Sequence, residues 1–122
     1  MRYSLFKKND LFVNSISLWE LMQPIGSSGT HNYHNITPLE IVNVLNSLEI
    51  PFCIYKVKNG RHAIIPIFNK NSNSGWVVII ETNAGLINRP SANINKLITI
   101  YPKSNLTKYI EKMDKESLIY KK

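Results

Sequence analysis

Two histidines, His31 and His34, stand just ahead of a helix start in the segment Thr30-His31-Asn32-Tyr33-His34-Asn35-Ile36-Thr37-Pro38-Leu39-Glu40. An imidazole exchanges protons near neutral pH, so each is a candidate acid or base. His34 is the first choice, because a helix N-terminus disfavours its charged form and helps to hold a phosphate nearby. His31 is either the alternative base or a spectator. The plain alternative for His34 is a hydrogen bond within its own loop. Further along, Thr99, Tyr101 and Lys103 alternate along a strand and into its end, so they can share one face. A hydroxyl, a phenol and an ammonium on one face can grip a phosphate, although threonine and tyrosine are also ordinary strand residues. Lys56, Arg61 and His62 flank an Asn-Gly turn, as an RNA-facing rim or as a solvated turn. Together these groups suffice for metal-free RNA cleavage. One group takes the ribose 2′-OH proton, another protonates the leaving 5′-oxygen, and donors and cations stabilise the phosphorane between them. The products would be a 2′,3′-cyclic phosphate and a 5′-OH end.

The three histidines do not have the spacing of a metal site, and no metal or other cofactor is expected. Cys53 is the sole cysteine, which excludes an internal disulfide. It lies in the apolar run Phe52-Cys53-Ile54-Tyr55, as expected of a buried, inert thiol. Walker loops, dinucleotide fingerprints, serine nucleophile elbows and zinc-protease motifs are absent from the sequence.

The 122 residues suffice for one domain with a core, and 43% hydrophobic content argues against wholesale disorder. No apolar run is long enough to cross a membrane as a helix, and residues 1–8 do not read as a signal peptide. The net charge of +7 is unevenly distributed. Residues 1–50 carry three basic and four acidic side chains (net −1), whereas 51–122 carry twelve basic and four acidic (net +8). That asymmetry points to a polyanionic or acidic partner, against the alternative of a merely solvated basic surface.

The elements that must position these groups follow from periodicity and punctuation. Residues 1–13 are an edge strand or an unsettled arm. Residues 14–22 read as a helix with Ile16, Leu18, Trp19 and Met22 apolar, stopped by Pro24 and Gly26. Thr37, Pro38 and Glu40 form a capping box that opens a helix from Pro38 to Leu48. Its apolar positions are Leu39, Val42, Leu45 and Leu48, broadened by Ile41 and Val44. Strands are expected at 52–57 and 62–68, joined through Asn59-Gly60, with Pro66 at an edge or bulge. Trp76–Thr82 is the candidate central strand. A loop at 83–95 leads to a strand at 96–101 that Pro102 ends. A short helix capped by Ser104 or Asn105 runs to Met113, and a strand at 117–122 closes the chain. Trp19, Trp76 and Tyr55 are expected in the core rather than as base-stacking platforms. The fold class is α+β: N-terminal helices packed on a twisted, mainly antiparallel sheet of four or five strands.

The order of these motifs resembles a known family. His34-Asn35-Ile36-Thr37-Pro38-Leu39-Glu40, followed by Leu45 and Leu48-Glu49-Ile50-Pro51, is similar to the opening of phage- and MuF-associated nuclease toxin domains. Asn93-Ile94-Asn95-Lys96-Leu97-Ile98-Thr99-Ile100-Tyr101-Pro102-Lys103 resembles that family's Asn-x-Ile-x-Ser-x-Tyr-Gly-Lys segment, and Leu118-Ile119-Tyr120-Lys121-Lys122 its closing segment. The likeness covers about residues 30–122 of a single toxin domain, with 1–29 as an N-terminal helical part. It implies the barnase–EndoU–colicin–RelE (BECR) class of RNases, with a cleft over the sheet. It also implies metal-independent cleavage of RNA, often tRNA, in competition between bacteria.

On this resemblance the chain is delivered as part of a larger bacterial toxin or phage protein. It acts in the target-cell cytoplasm and pairs with an acidic immunity protein. Residue by residue, His34, Tyr101 and Lys103 match the family. Thr99 keeps the hydroxyl of the usual serine, and Pro102 replaces the usual glycine. The implied roles are acid or base for His34, binding or polarising the scissile phosphate for Thr99 and Tyr101, and charge stabilisation for Lys103. Lys56 and Arg61 are second-rank substrate contacts, with His31 and His62 beside them. The alternative reading is a non-catalytic nucleic-acid- or partner-binding module using the same basic face.

Overall fold

A computed structural model of the chain describes residues 11–23, 34–69, 73–86, 89–113 and 115–121, giving the backbone alone at 12, 83–86 and 89–94. Strand β1 (Leu11–Phe12) leads into helix α1 (Ser15–Met22), and helix α2 spans Pro38–Ser47. Strands β2 (Cys53–Lys56), β3 (Arg61–Ile65), β4 (Gly75–Leu86) and β5 (Arg89–Lys103) follow. Helix α3 (Leu106–Lys112), a short 3-10 turn at Lys115–Ser117 and strand β6 (Leu118–Lys121) complete the order. The sheet order is β1-β5-β4-β3-β2-β6. Strands β2 to β6 are antiparallel to their neighbours, and the two-residue β1 adds in parallel against Asn95 and Lys96 of β5. The architecture is α+β. No helix among the described residues is long and apolar enough to cross a membrane.

Both faces of the sheet are covered. On one, Leu21 of α1 and Ile41 and Val44 of α2 pack with Ile54, Ile64, Val78, Ile80, Leu97 and Ile100. On the other, Leu106 of α3 packs with Cys53, Tyr55, Ala63, Ile65 and Val77. Burial on both faces explains why Trp76–Ile80 is continuously apolar instead of alternating. It also explains why Cys53 is fully buried.

The capping box forms as expected. The Glu40 N–H donates to Thr37 Oγ1 at 3.2 Å, and the Thr37 N–H donates to Glu40 Oε1 at 3.0 Å. Replacing Thr37 by alanine removes the cap acceptor, and is expected to cost about 1 kcal/mol of stability. Urea denaturation measures this as a lowered midpoint at unchanged slope.

The inward faces of the two N-terminal helices differ from the expected ones. On α2 the buried residues are Ile41 and Val44, joined by Leu48 at the C-cap, whereas Leu39 and Val42 are exposed. A strict spacing of three drifts around a helix of 3.6 residues per turn, so Leu39 and Leu48 cannot share a face. On α1 the face is set by Leu18 and Leu21, which leaves Ile16, Met22 and Trp19 outward, with Trp19 53% exposed. Trp76 and Tyr55 do belong to the packed interior.

The segment 83–95, expected as a loop, is mostly ladder. Strand β4 continues to Leu86 and β5 starts at Arg89, pairing Ala84 with Ile94 and Leu86 with Arg89. Register shifts between Glu81, Ala84 and Leu86 accommodate a stretch whose Asn, Gly and Pro content suggests a loop. Pro102 does not end β5, which runs on to Lys103. Pro102 pairs with Trp76 of β4, beyond the level at which β1 flanks β5. Pro66 lies just beyond β3, which ends at Ile65. Asn59 and Gly60 both adopt positive φ, 65° and 72°, as the Asn-Gly turn requires.

Candidate active site

Three of the candidates share the α3 side of β5, and the fourth, His34, from a distant part of the sequence, lies beside Tyr101. Thr99 pairs with Ile79, Tyr101 with Val77 and Lys103 with Gly75, so all three point to the face that carries Val77, Ile79 and α3. The alternation anticipated for them is present, and the pairing continues through Pro102 to Lys103.

His34 reaches this group from the other side of the chain. Its neighbours fix it: the Asn35 N–H donates to Gln23 O at 2.8 Å, and the Ile36 N–H donates to Leu21 O at 2.9 Å. Those bonds strap the segment to the end of α1, while Ile36 inserts fully buried into the helix-side core. Asn35 between them has φ of 52°, a left-handed conformation that asparagine tolerates better than most residues. The His34 ring lies 6.1 Å from the Tyr101 ring, centroid to centroid, tilted by 45°.

Two polar atoms here are orphaned. His34 Nε2 and Thr99 Oγ1 are both buried without a hydrogen-bond partner among the described residues. An unsatisfied buried polar atom costs on the order of 1–3 kcal/mol, which a ribose hydroxyl donating to the imidazole and a phosphate oxygen accepting from the Thr99 hydroxyl can repay. Because both atoms are covered, a substrate reaches them only when the covering side chains move. Burial also holds the His34 imidazole below its usual 6.5, so the ring is neutral and proton-accepting at neutral pH.

A residue not singled out in the sequence completes the cluster. Tyr109 of α3 brings its hydroxyl 3.4 Å from that of Tyr101, and the Lys103 Nζ sits over its ring, 5.3 Å from the centroid. Its helical spacing with Leu106, Ile110 and Met113 marks it as lying on the inward face of α3. That spacing does not say which strand it meets.

The other candidates are dispersed. Lys56 and His62 are cross-strand partners with the same alternation as Ile54 and Ile64, which places them on the α1 and α2 face, opposite Thr99, Tyr101 and Lys103. His62 is buried, and burial followed by the Lys56 charge holds its imidazole below the usual value. An RNA-facing rim joining Lys56 and His62 to Arg61 is therefore not formed. Arg61 does share the face of Thr99, since it alternates with Ala63, but its Nε is 3.5 Å from Glu81 Oε1 and its charge is partly matched. His31 lies outside the described residues.

A cavity of about 300 Å³ elsewhere, lined by Asn46, Ser47, Glu49, Ile50, Phe52, Pro66, Ile67 and Phe68, contains none of these groups. Among the described residues, no three His, Cys, Asp or Glu side chains are grouped so as to hold a metal ion. Comparison of the chain with protein families, with curated proteins and with solved structures gives no match.

Proposed function

We propose that this chain is a metal-independent endoribonuclease of the toxin type, with His34, Thr99, Tyr101 and Lys103 as its catalytic set. The observation that carries the reading is the approach of the His34 ring to that of Tyr101, on the strand face that also carries Thr99 and Lys103. In the proposed reaction neutral His34 takes the proton of the ribose 2′-OH, whose oxygen attacks the adjacent phosphorus. The Thr99 hydroxyl donates to a non-bridging phosphate oxygen, and Lys103 balances the charge that builds on the phosphorane. The 5′-oxygen departs with the proton of the Tyr101 phenol, leaving a 2′,3′-cyclic phosphate and a 5′-OH end. Tyr101 and His34 then return to their starting states by exchange with water.

The +8 net charge over residues 51–122 supports a polyanionic substrate. The choice of tRNA, delivery between bacteria on a larger protein, a BECR-type scaffold and an acidic immunity partner all rest on the sequence resemblance. Incubating the purified protein with total tRNA and EDTA is expected to give cleaved RNA with cyclic-phosphate ends. Intact tRNA and mRNA under those conditions overturn the proposal, and salt-sensitive binding without cleavage would identify a binding module instead.

A further inference from the structure

We infer that Tyr109 is a positioning residue of this site, holding Tyr101 through its hydroxyl and Lys103 through its ring. The inference rests on the catalytic reading of Tyr101 and Lys103. Tyr109 is the one side chain of α3 with a described contact to two members of the set. Its hydroxyl faces the Tyr101 hydroxyl at 3.4 Å, and its ring lies under the Lys103 Nζ at 5.3 Å. Burial, followed by the bond to Tyr101, pushes the Tyr109 phenol above the ordinary 10.0. Tyr109 therefore keeps its proton and can donate it to the Tyr101 oxygen. A donor aimed at that oxygen fixes the ring and stabilises the phenolate left when Tyr101 gives up its proton. It also leaves Tyr101's own hydrogen free to point at the substrate. The ring of Tyr109 meanwhile holds a long, flexible lysine in one place by cation–π attraction, limiting the freedom it would lose on meeting a phosphate.

The anchor is itself well held. Helix α3 is fixed at its start by Asn73, whose carbonyl accepts from the Leu106 N–H at 2.9 Å and whose Oδ1 accepts from the Thr107 N–H at 2.8 Å. Asn105 Oδ1 accepts from Asn73 Nδ2 at 2.7 Å and from the Lys108 N–H at 3.3 Å. Tyr109 is thus presented by a clamped element and not by a loose one.

The test compares wild type, Tyr109→Phe, Tyr109→Leu and His34→Gln on one RNA substrate, well below each variant's unfolding temperature. Tyr109→Phe keeps the ring and removes the hydroxyl, so kcat is expected to fall about five- to tenfold at unchanged KM. Tyr109→Leu also removes the support of Lys103, so KM is expected to rise and the kcat loss to persist. Proton NMR gives a readout besides activity: the Lys103 methylene next to Nζ should be ring-current shifted in wild type and Tyr109→Phe, but not in Tyr109→Leu. If Tyr109→Phe turns over like wild type while His34→Gln is dead, the positioning role is wrong and the catalytic reading stands. An unshifted Lys103 methylene in wild type likewise overturns the ring's part. If wild type itself cleaves no RNA, the catalytic reading fails and takes the inference with it.

Discussion

Replacing His34 by glutamine is expected to lower kcat for RNA cleavage by about 10²- to 10⁴-fold, the range for loss of a positioned proton acceptor. Glutamine preserves most of the volume and polarity of the ring, so the effect should fall on chemistry more than on folding. The pH dependence supplies a second signature. Burial holds the His34 imidazole below 6.5, so as a base it works at neutral pH and is lost on acidification. The acid limb of the wild-type profile should therefore have its midpoint below 6.5, and His34→Gln should lack that limb. Stability moves in the same direction. The unfolded chain protonates His34 more readily than the fold does, so the fold loses stability as pH drops below about 6.5. Buried His62 adds to this loss, because its pKa is lowered too. Double mutation of His34 and His62 should flatten the stability curve in that window, whereas His34→Gln alone should remove the catalytic limb. A wild-type acid limb centred above 6.5, or a glutamine variant that retains rate, would rule out neutral His34 as the base.

The parts of this site that were legible in the sequence are those set by local rules. The capping box places His34 three residues ahead of its N-cap wherever the helix packs. The period of two puts Thr99, Tyr101 and Lys103 on one face without knowledge of the neighbouring strands. What the sequence withheld is which face each strand turns to which layer. In β2 the run Cys53-Ile54-Tyr55 is buried throughout, because helices cover both sides. It carries no polar alternation from which the side taken by Lys56, and thus by its partner His62, could be inferred. The hairpin from 83 to 95 was hidden for a different reason: backbone pairing with register shifts tolerates a composition that otherwise signals a loop. On α2 a strict spacing of three drifts away from a buried face that repeats every 3.6 residues. Tyr109 was visible as an inward position of a short helix, but its value comes from meeting Tyr101 and Lys103, a tertiary fact.

Leu106→Ala is expected to destabilise the protein by about 2–5 kcal/mol, a large share of the roughly 5–15 kcal/mol available to a small domain. Leu106 is fully buried among Cys53, Tyr55, Ala63, Ile65 and Val77, and it is the buried residue of α3. Its seat is closely fitted. A Cβ added at Gly75 would come within 2.7 Å of Leu106 Cδ1, so the glycine opposite Lys103 is what admits the leucine. Seven residues make a helix too short to stand alone in water, so α3 depends on this anchor and on the Asn73 and Asn105 clamp. Removing the anchor should therefore do two things at once. It lowers the urea midpoint with the slope unchanged, and it makes the α3 amides exchange hydrogen faster than the amides of β3 and β4. Activity should fall as well, because α3 carries Tyr109 to Tyr101 and Lys103. The contrast with Tyr109→Phe separates the causes: that change removes one hydroxyl from a helix still anchored, and should cost turnover with little stability. If Leu106→Ala costs less than about 1 kcal/mol and α3 exchange stays slow, Leu106 does not hold the helix, and the clamp alone positions Tyr109.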